Sequence, residues 1–460
     1  MGAGVSSSRL ARAVSSVGQL GVVSGIALDV ILARRLQDGD ADGSIRRAIA
    51  EFPLRRIAER ILAKYFVPGG RPREAPYANV PMHSTRRTPE LDELCILGNF
   101  VEVFLAREGH DSSVGINYLE KIQLPLLPSI YGAMLAGVAY VLIGAGIPTK
   151  VPGVLDRFVK HESATYELTV TGEATEEATR LTFDPATYLD GVQLPDLQRP
   201  RFIAIVSSNV LATTMLRRSN GKVDGFVVET PTAGGHNAPP RGKLELDWEG
   251  QPVYGDKDRV DLDRLRELGI PFWLAGGYAT RERLHDAIAS GATGVQVGTA
   301  FAFCEESGLS AEYRQGILKK VCEGTAAVFT DPLASPTGFP FKVAALEGTL
   351  SEGTVYGVRK RVCDLGYLRQ AYAKPDGTVA FRCAGEPVDV YVSKGGAEAD
   401  TAGRKCLCNA LIANIGHAQR RDASVEKALI TAGDDLRNIA RFIPAGETTY
   451  YASDVIARII

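Results

Sequence analysis

The sequence predicts an α/β barrel of the (β/α)8 type, extended by an inserted helical segment and by a separate C-terminal lobe. Three observations support this fold class. Short apolar runs alternate with amphipathic helical stretches as far as about residue 330, a pattern typical of a parallel sheet covered by helices. Glycine-containing loops follow several of the apolar runs. A cluster of prolines then begins at Pro332, where the alternation of apolar runs and helical stretches ends.

Seven apolar runs are predicted to be the core strands. They begin at about residues 20, 114, 140, 202, 224, 271 and 293. A closed barrel of this type needs eight strands. We expect the absent strand to be the first one, because the opening Met-Gly-Ala-Gly reads like the loop after a strand. A seven-stranded or open sheet is the alternative.

Two insertions interrupt the alternation. The first, about 26–112, is predicted to be helical, with Pro53 breaking or kinking its helical stretch. The second, about 165–195, alternates apolar and polar residues as an antiparallel hairpin does. We therefore assign residues 1–330 to the barrel and 331–460 to a mostly helical C-terminal lobe, in which VDVYVSK is expected to be extended.

Composition excludes several function classes. The 52 Lys and Arg residues nearly balance the 54 Asp and Glu residues, for a net charge of −2, which argues against a nucleic-acid-coating surface or a polybasic membrane protein. The uncharged stretch Ile122–Thr149 is punctuated by Pro and Gly, so we interpret it as a short helix and a buried strand, not as a membrane span. Seven cysteines, an odd number, and an N-terminus without a signal-peptide pattern predict a cytoplasmic protein.

Two consecutive glycine loops predict a phosphate site. Gly276 and Gly277 close one predicted strand, and Gly298 and Thr299 close the next. In an α/β barrel such loops share the face where ligands bind, and backbone N–H groups beside a helix N-terminus suit a phosphate. Ordinary tight turns are the alternative. The pairing of these loops on the last two strands is the phosphate pattern of barrel flavoproteins, which predicts FMN as the cofactor.

A third loop supplies the candidate catalytic residue, His236, directly after Gly234 and Gly235. Small residues let a planar ring approach the backbone, and a histidine held there can donate a hydrogen bond to a substrate or exchange a proton with it. A histidine that only caps a turn is the alternative. Asn117 and Glu229 end predicted strands. The Asn117 amide could form hydrogen bonds with the edge of a heterocycle, or it could cap a turn. The Glu229 carboxylate could bind a ribityl hydroxyl, or it could form an ion pair with a Lys or Arg of a helix.

Four of the seven cysteines fall within the last hundred residues and are candidate zinc ligands: Cys363, Cys383, Cys406 and Cys408. Their spacing is not the usual paired one, so unrelated buried thiols are the alternative, and an iron–sulfur cluster is a further one. The basic neighbours Arg404 and Lys405 are expected to lower the pKa values of the adjacent thiols.

The motifs together resemble one known family. MGAGVSSSRLARAVSSVGQLGVVSG, then GIN, AGGH and LAGGYATRERLHDAIASGATGVQVGTAF look like the nitronate monooxygenase (2-nitropropane dioxygenase-like) family, over roughly residues 1–330. The resemblance implies an FMN-binding TIM barrel with His236 as the active-site histidine. The residues that it places on FMN are Gly2, Ala3, Gly4, Asn117, Gly277, Gly298 and Thr299. The chain departs from the pattern at Thr232, where members often carry an acidic residue, and in its insertion and C-terminal lobe, which resemble larger relatives that include FMN-dependent enoyl reductases.

Three functions remain open at this point. The first is oxidation of alkyl nitronates with O2 to a carbonyl compound and nitrite, with His236 bonded to the nitro oxygens or acting as base towards a neutral nitroalkane. The second is NAD(P)H-dependent reduction of an enoyl thioester (enoyl-ACP) or a quinone, with a carrier protein docked on the added segments. The third is a non-catalytic subunit that holds flavin or metal. We expect a small-molecule substrate and no nucleic-acid or membrane partner; a homo-oligomer is the alternative to a carrier-protein complex.

Overall fold

The structure is a computed structural model that describes residues 2–172, 179–421 and 424–460. The strands of the described residues are β1 (Gly21–Ser24), β2 (Val114–Leu119), β3 (Tyr140–Gly144), β4 (Ala164–Glu167), β5 (Val170–Thr171), β6 (Arg180–Phe183), β7 (Arg201–Val206), β8 (Gly225–Glu229), β9 (Phe272–Ala275), β10 (Gly294–Gln296), β11 (Val328–Asp331), β12 (Phe341–Ala344), β13 (Gln370–Ala373), β14 (Val379–Arg382), β15 (Arg420–Arg421) and β16 (Ser424–Val425).

Helices cover or extend this set of strands. The α-helices of the described residues are α1 (Ser8–Ser15), α2 (Leu28–Gln37), α3 (Ser44–Ala50), α4 (Arg55–Tyr65), α5 (Pro89–Arg107), α6 (Leu126–Leu135), α7 (Val151–Val159), α8 (Ala186–Leu189), α9 (Asn209–Arg218), α10 (Leu262–Glu267), α11 (Arg281–Ala289), α12 (Thr299–Ala302), α13 (Ala311–Cys322), α14 (Gly353–Val358), α15 (Val388–Ser393), α16 (Leu407–Asn414) and α17 (Ala452–Ile459). Short 3-10 helices span Asp256–Asp258, Glu398–Thr401 and Asp434–Phe442.

Seven strands form one parallel sheet in the order β1-β2-β3-β7-β8-β9-β10. Each strand pairs with the strand that precedes it in this set, which is the singly wound order of a TIM-type α/β fold. A doubly wound sheet would reverse its direction at a switch point. All seven predicted core strands and the predicted fold class are therefore confirmed. Among the described residues no hydrogen-bonded pair joins β10 to β1, so the sheet has an open seam between these two strands.

The sheet has an inner and an outer face because successive strand side chains point to opposite sides. Leu142, Ile203, Val227 and Ala275 form a small apolar cluster on the inner face. The outward residues of the same strands join the large core beneath the helices, as the buried Phe226 of β8 does. The inner face is thus only partly filled, and the space above it faces the carboxyl ends of the strands.

The predicted helical insertion is present as α2 to α5. Pro53 lies between α3 and α4, where the break was expected, because proline removes a backbone donor and clashes with the preceding turn. The longest helix, α5, buries most of its residues. It packs closely on α6, since a Cβ at Gly132 would lie 2.1 Å from the Ile96 carbonyl oxygen. In the described residues, no helix is long and apolar enough to cross a membrane, as we expected for Ile122–Thr149.

The second insertion contains an antiparallel pair, β4 with β6. The turn end of the predicted hairpin includes residues 173–178, which lie outside the described residues. Beyond the pair, β5 adds in parallel to β13 of the C-terminal region. This region differs from the prediction at VDVYVSK, which was expected to be extended and forms α15.

The C-terminal region shares its packing with the barrel. Leu407 and Leu429 belong to the same core cluster as Val23 of β1. A second cluster joins Leu10 of α1 to Phe442. The boundary at residue 330 stays a prediction about chain organisation, and apolar contacts are continuous across it.

Candidate functional site

A cavity of about 530 Å³ opens at the inner face of the sheet, beside the seam between β1 and β10. This volume lies within the range of small-molecule and cofactor sites. Most of the predicted cofactor residues line it: Gly2, Glu229, Gly234, Gly235, Gly276, Gly277, Gly298 and Thr299. Four predicted site residues do not belong to its wall: Ala3, Gly4, Asn117 and His236. The loops after β8, β9 and β10 therefore converge as the sequence predicted, whereas the N-terminal loop contributes through Gly2.

The glycines of these loops leave open space in front of the backbone. Gly276 and Gly277 both have left-handed φ angles, +99° and +74°, which favour glycine over other residues. A Cβ at Gly276 would lie 2.2 Å from the Thr230 hydroxyl oxygen, so this position is also closed to a side chain. At Gly235 and Gly298 a Cβ would meet no atom within 4 Å. Side chains there would project into the free volume, which is the space that a planar cofactor needs.

The N-terminal turn is held by packing. Gly4 has a φ of +65°, and a Cβ there would lie 2.5 Å from the Cδ1 atom of Ile415. The carbonyl of Val5 accepts a hydrogen bond from the Gly308 backbone. Ala3 is buried. Gly4 and Val5 thus join the start of the chain to two later segments. The contact of Ala3 and Gly4 with a cofactor stays a prediction.

Asn117 lies on β2 and is buried. It pairs with Ser24 of β1 and with Leu142 of β3 in the sheet register. Its backbone carbonyl accepts from Gly25. Since Leu142 belongs to the inner-face cluster, Asn117 lies on the same face of the sheet. It is not among the residues that line the cavity, and its proposed contact with a heterocycle stays a prediction.

His236 is turned towards the C-terminal region. Its Nε2 atom lies 2.7 Å from the Ser335 hydroxyl oxygen, and its ring packs edge-on against Phe341 with centroids 4.9 Å apart. Burial lowers the pKa of His236 to about 3, so the ring is neutral at physiological pH. The backbone of His236 also forms an isolated bridge with Phe341. Its assignment as the catalytic residue stays a prediction.

The segment Ser335–Lys342 returns over the loop that follows β8. The Lys121 ammonium group lies 5.1 Å from the centroid of the Phe339 ring. Lys342 is almost completely buried, and its Nζ donates to the Thr330 hydroxyl at 2.7 Å and to the Asp434 carboxylate at 2.6 Å. These contacts fix the segment as an ordered cover on one side of the site.

The sequence reasoning missed a wall of the cavity that comes from the C-terminal region, Ile430–Asp435. Four of its residues line the cavity: Ile430, Thr431, Ala432 and Asp435. The Gly433 N–H donates to the Thr299 hydroxyl at 2.8 Å, and the Asp434 N–H donates to the Thr232 carbonyl at 3.0 Å. Position 433 requires glycine, because a Cβ there would lie 2.7 Å from the same Thr232 oxygen. The only feature of the sequence that could have indicated this wall is the pair Ala432-Gly433 after an apolar run.

Apolar side chains extend the cavity towards the open seam. They come from α1, the start of β1, α11 and α17: Leu10, Val14, Leu20, Leu284, Ile456 and Ile459. None of these residues carries a motif that marks a site. Their positions next to the cavity depend on contacts between α1 and α17, which stand at opposite ends of the chain.

The four candidate zinc ligands do not form a compact sulfur site. Cys363 and Cys383 are neighbours, since a side-chain hydrogen bond between them lowers the pKa of Cys363 and raises that of Cys383. Within the described ranges, no three of the four cysteines bring their sulfur atoms within 4.8 Å of one another. The zinc site stays a prediction that the side-chain positions do not favour.

The expected effect of Arg404 and Lys405 on the thiols is wrong. Burial raises the pKa values of Cys406 and Cys408. The two basic side chains point elsewhere: Arg404 donates to the Ser335 carbonyl, and Lys405 pairs with Asp331. Arg404 and Lys405 are next to Cys406 in the sequence, but their cationic groups point away from the cysteine sulfurs and bind other partners.

A different group of potential metal ligands does converge. One ligand atom each from Asp29, His83 and Cys95 lies within 4.8 Å of the others. His83 is buried. Its Nε2 atom is 2.8 Å from the Asp29 carboxylate, which also accepts from the Tyr367 hydroxyl at 2.5 Å. These two hydrogen bonds satisfy the buried carboxylate without an ion, so we interpret the group as a polar contact inside the core.

Fold and site together define an α/β protein of the TIM type with a glycine-lined cavity at the carboxyl ends of its strands. Residues 197–333, which contain β7 to β10 and all three glycine loops, match the family model of nitronate monooxygenase. This part of the chain is therefore similar to the nitronate monooxygenase family, in agreement with the resemblance that the motifs predicted.

Curated relatives agree with the family model. The nitronate monooxygenase of Pseudomonas aeruginosa is 33% identical over 121 residues, which cover 25% of this chain and 32% of the relative. That of Paraburkholderia phytofirmans is 28% identical over 164 residues, covering 35% and 42% respectively. The matching part of the chain thus spans less than half the length of either relative.

Two solved structures show a distant likeness to this chain. The FabK protein of Thermotoga maritima is 16% identical with a TM-score of 0.44, covering 99% of this chain and 88% of its own. A nitroalkane oxidase from Streptomyces ansochromogenes is 15% identical with a TM-score of 0.45, covering 100% and 92%. At TM-scores below 0.5 these likenesses carry no conclusion about activity.

Proposed function

We propose that the protein is an FMN-dependent oxidoreductase that oxidises alkyl nitronates with O2 to a carbonyl compound and nitrite. One observation carries this proposal. The segment that matches the nitronate monooxygenase family, 197–333, supplies the glycine loops that converge on a single cavity at the carboxyl ends of the strands. Ligands of α/β barrels bind at this end.

The cavity residues fit FMN. The free space in front of Gly235 and Gly298 lets a planar ring system and a phosphate approach the backbone. Gly276, Gly277, Gly298 and Thr299 would hold the phosphate, as backbone N–H groups at such loops do. When bound, FMN supplies the redox chemistry, while the protein provides binding, orientation and electrostatics.

The chain's own residues give the site a mostly apolar character. A neutral His236, hydrogen-bonded to Ser335, stabilises the cover segment beside the cavity. Ala233, Gly234 and Gly235 form a wall without bulky side chains, which leaves room for a small alkyl substrate against the cofactor. The segment Ile430–Asp435 contributes one wall of the cavity, and Ser335–Lys342 packs against the loop after β8.

An anaerobic absorbance titration of the FMN-loaded protein tests the proposal. We expect an alkyl nitronate to bleach the flavin absorbance, and NADH or NADPH to leave it unchanged. Bleaching by a nucleotide, with no response to nitronate, would contradict the nitronate assignment. A protein that takes up no FMN at all would contradict the flavoprotein assignment itself.

A second candidate is reduction of an enoyl thioester or a quinone by NAD(P)H. The observation that favours it is the apolar extension of the cavity between α1 and α17, lined by Leu10, Val14 and Ile459 among others, which exceeds what a short nitronate needs and would suit an acyl chain. The same titration separates the two, because a reductase is bleached by the nucleotide. A protein that retains FMN and responds to neither would support the non-catalytic subunit.

A further inference from the structure

The thiols of Cys363 and Cys383 lie next to each other in the C-terminal region and share a hydrogen bond. Cys383 directly follows β14, which pairs with β13 in antiparallel register, Gln370 opposite Arg382. Cys363 belongs to the segment that leads into β13. The strand pair thus returns the chain from the β13–β14 turn to the segment that carries Cys363, and two thiols that are distant in the sequence become neighbours.

The two thiols differ in their access to solvent. Cys363 is half-buried, whereas Cys383 is buried, so a small solute that arrives from solvent meets Cys363 first. The Cys383 S–H group donates to the Cys363 sulfur and lowers the pKa of Cys363, and the Arg369 guanidinium acts in the same direction, against the effect of burial. Because the thiolate is the nucleophilic form of cysteine, Cys363 is the thiol suited to attack, with Cys383 in contact behind it.

The two other cysteines of this region bind different partners. The Cys406 sulfur accepts from the Asn409 amide at 3.5 Å, and the Cys408 sulfur accepts from the backbone N–H groups of Leu368 and Tyr367. Within the described parts of the chain, no three of the four sulfurs lie within 4.8 Å of one another, although a tetrahedral zinc site needs all four around one ion. The arrangement therefore fits a reaction between two thiols better than joint binding of a metal ion.

We propose that Cys363 and Cys383 form a dithiol site that reacts with a hydroperoxide, ROOH, and closes to a disulfide. The Cys363 thiolate attacks an oxygen of the peroxide, so that an S–O bond forms, the O–O bond breaks and the alcohol ROH leaves with a proton. The Cys383 sulfur then attacks the sulfenic sulfur of Cys363, the S–S bond forms, and the S–O bond breaks with loss of water. The two thiols together lose two electrons and two protons, and the peroxide is reduced. A dithiol reopens the bond by exchange.

Peptide mapping tests the inference, because trypsin places each of the two thiols in a peptide of its own, 362–369 and 383–394. The purified full chain is reduced, freed of reductant and treated with hydrogen peroxide. The remaining thiols are alkylated, and the digest is analysed by mass spectrometry. We expect these two peptides to appear joined by a disulfide, and dithiothreitol to separate them again.

Three variants assign the steps. Cys383→Ser should stop at the sulfenic acid of Cys363, which dimedone traps on peptide 362–369. Cys363→Ser should slow peroxide consumption by at least about tenfold, because the accessible nucleophile is removed. Cys322→Ser makes the same chemical change at an exposed cysteine of α13 and is the matched control. It should form the joined peptides as fast as the unmodified protein.

Peroxide that leaves both thiols free, or a disulfide that joins either one to peptide 406–420, which carries Cys406 and Cys408, would overturn the inference. Zinc in the purified chain, with oxidation only after a chelator removes it, would overturn it as well, because the thiols would then be metal ligands. Neither Cys363 nor Cys383 lines the cavity. The joined peptides are therefore expected whether or not the protein binds FMN and oxidises a nitronate.

Discussion

At the scale of the residue, the clearest feature is the contact between His236 and Ser335. The ring is neutral because burial lowers the pKa of His236 to about 3, so one ring nitrogen donates and the other accepts. The Ser335 hydroxyl is shared between the ring at 2.7 Å and the Thr337 hydroxyl at 2.8 Å. The imidazole thus joins the loop after β8 to the cover segment Ser335–Lys342, and the two side chains act as one unit.

We expect His236→Ala and Ser335→Ala each to lower kcat/KM for an alkyl nitronate. Because both substitutions remove the same hydrogen bond, the double variant should lose little more than the larger single loss. Groups in direct contact commonly show coupling energies of about 0.5–3 kcal/mol. Steady-state kinetics of the four proteins, with FMN content measured in each, checks this. Losses that multiply would show that His236 acts independently of Ser335, for example directly on the substrate.

At the scale of the element, the segment Ile430–Asp435 decides the shape of the site. It places backbone groups against Thr232 and Thr299, and the Gly235 N–H donates to the Thr431 hydroxyl at 3.0 Å. A segment more than a hundred residues after the last barrel strand thus supports the loops after β8 and β10. Glycine is required at position 433, because the Thr232 carbonyl leaves no room for a side chain.

Gly433→Ala should therefore lower the melting temperature and weaken FMN binding together. The new methyl group would stand 2.7 Å from the Thr232 oxygen and 3.0 Å from the Gly234 nitrogen, and overpacking of this kind costs about 1–3 kcal/mol. Thermal unfolding and FMN titration measure the two effects. Gly255→Ala is the matched control, since its Cβ would meet no atom within 4 Å. If the two variants had the same melting temperature and the same FMN affinity, packing of Ile430–Asp435 against the loops would not contribute to stability or to FMN binding.

At the scale of the whole molecule, the barrel and the C-terminal region share two apolar cores. Leu407 and Leu429 are completely buried with residues of the barrel, and Phe442 is buried beside α1 and α12. Burial of each such side chain contributes about 1.5–3 kcal/mol. Removal of residues 331–460 would expose their apolar partners in the barrel, so the two parts depend on each other for stability.

We expect the full chain to unfold in one cooperative transition, and a fragment of residues 1–330 to show none. Circular dichroism during heating, with analytical ultracentrifugation to detect aggregation, measures both. The full chain prepared in parallel is the control. A fragment that melts cooperatively within a few degrees of the full chain would support the independent barrel domain predicted from the sequence, and would show that the shared cores are dispensable.

The sequence was sufficient for the elements whose physical signal is local. The strands β1, β2, β3, β7, β8, β9 and β10 are short apolar runs between turn residues, and all were predicted. The convergence of the Gly276 and Gly298 loops also followed, since the carboxyl ends of neighbouring parallel strands meet at one edge. Prediction was weaker in the C-terminal region. There, Val388–Ser393 alternates like a strand but forms a helix, because tertiary packing overrides weak local propensity.

The sequence by itself determined the fold class, the glycine loops and the types of residue available for chemistry, because periodicity and turn preferences act between near neighbours in the chain. Only the tertiary structure decided which of them meet. It turned His236 towards Ser335, placed Glu229 in the wall of the cavity, and brought Ile430–Asp435 over the loops. These outcomes depend on contacts between residues about a hundred or more positions apart, and on burial, which changes a pKa only after the chain has folded.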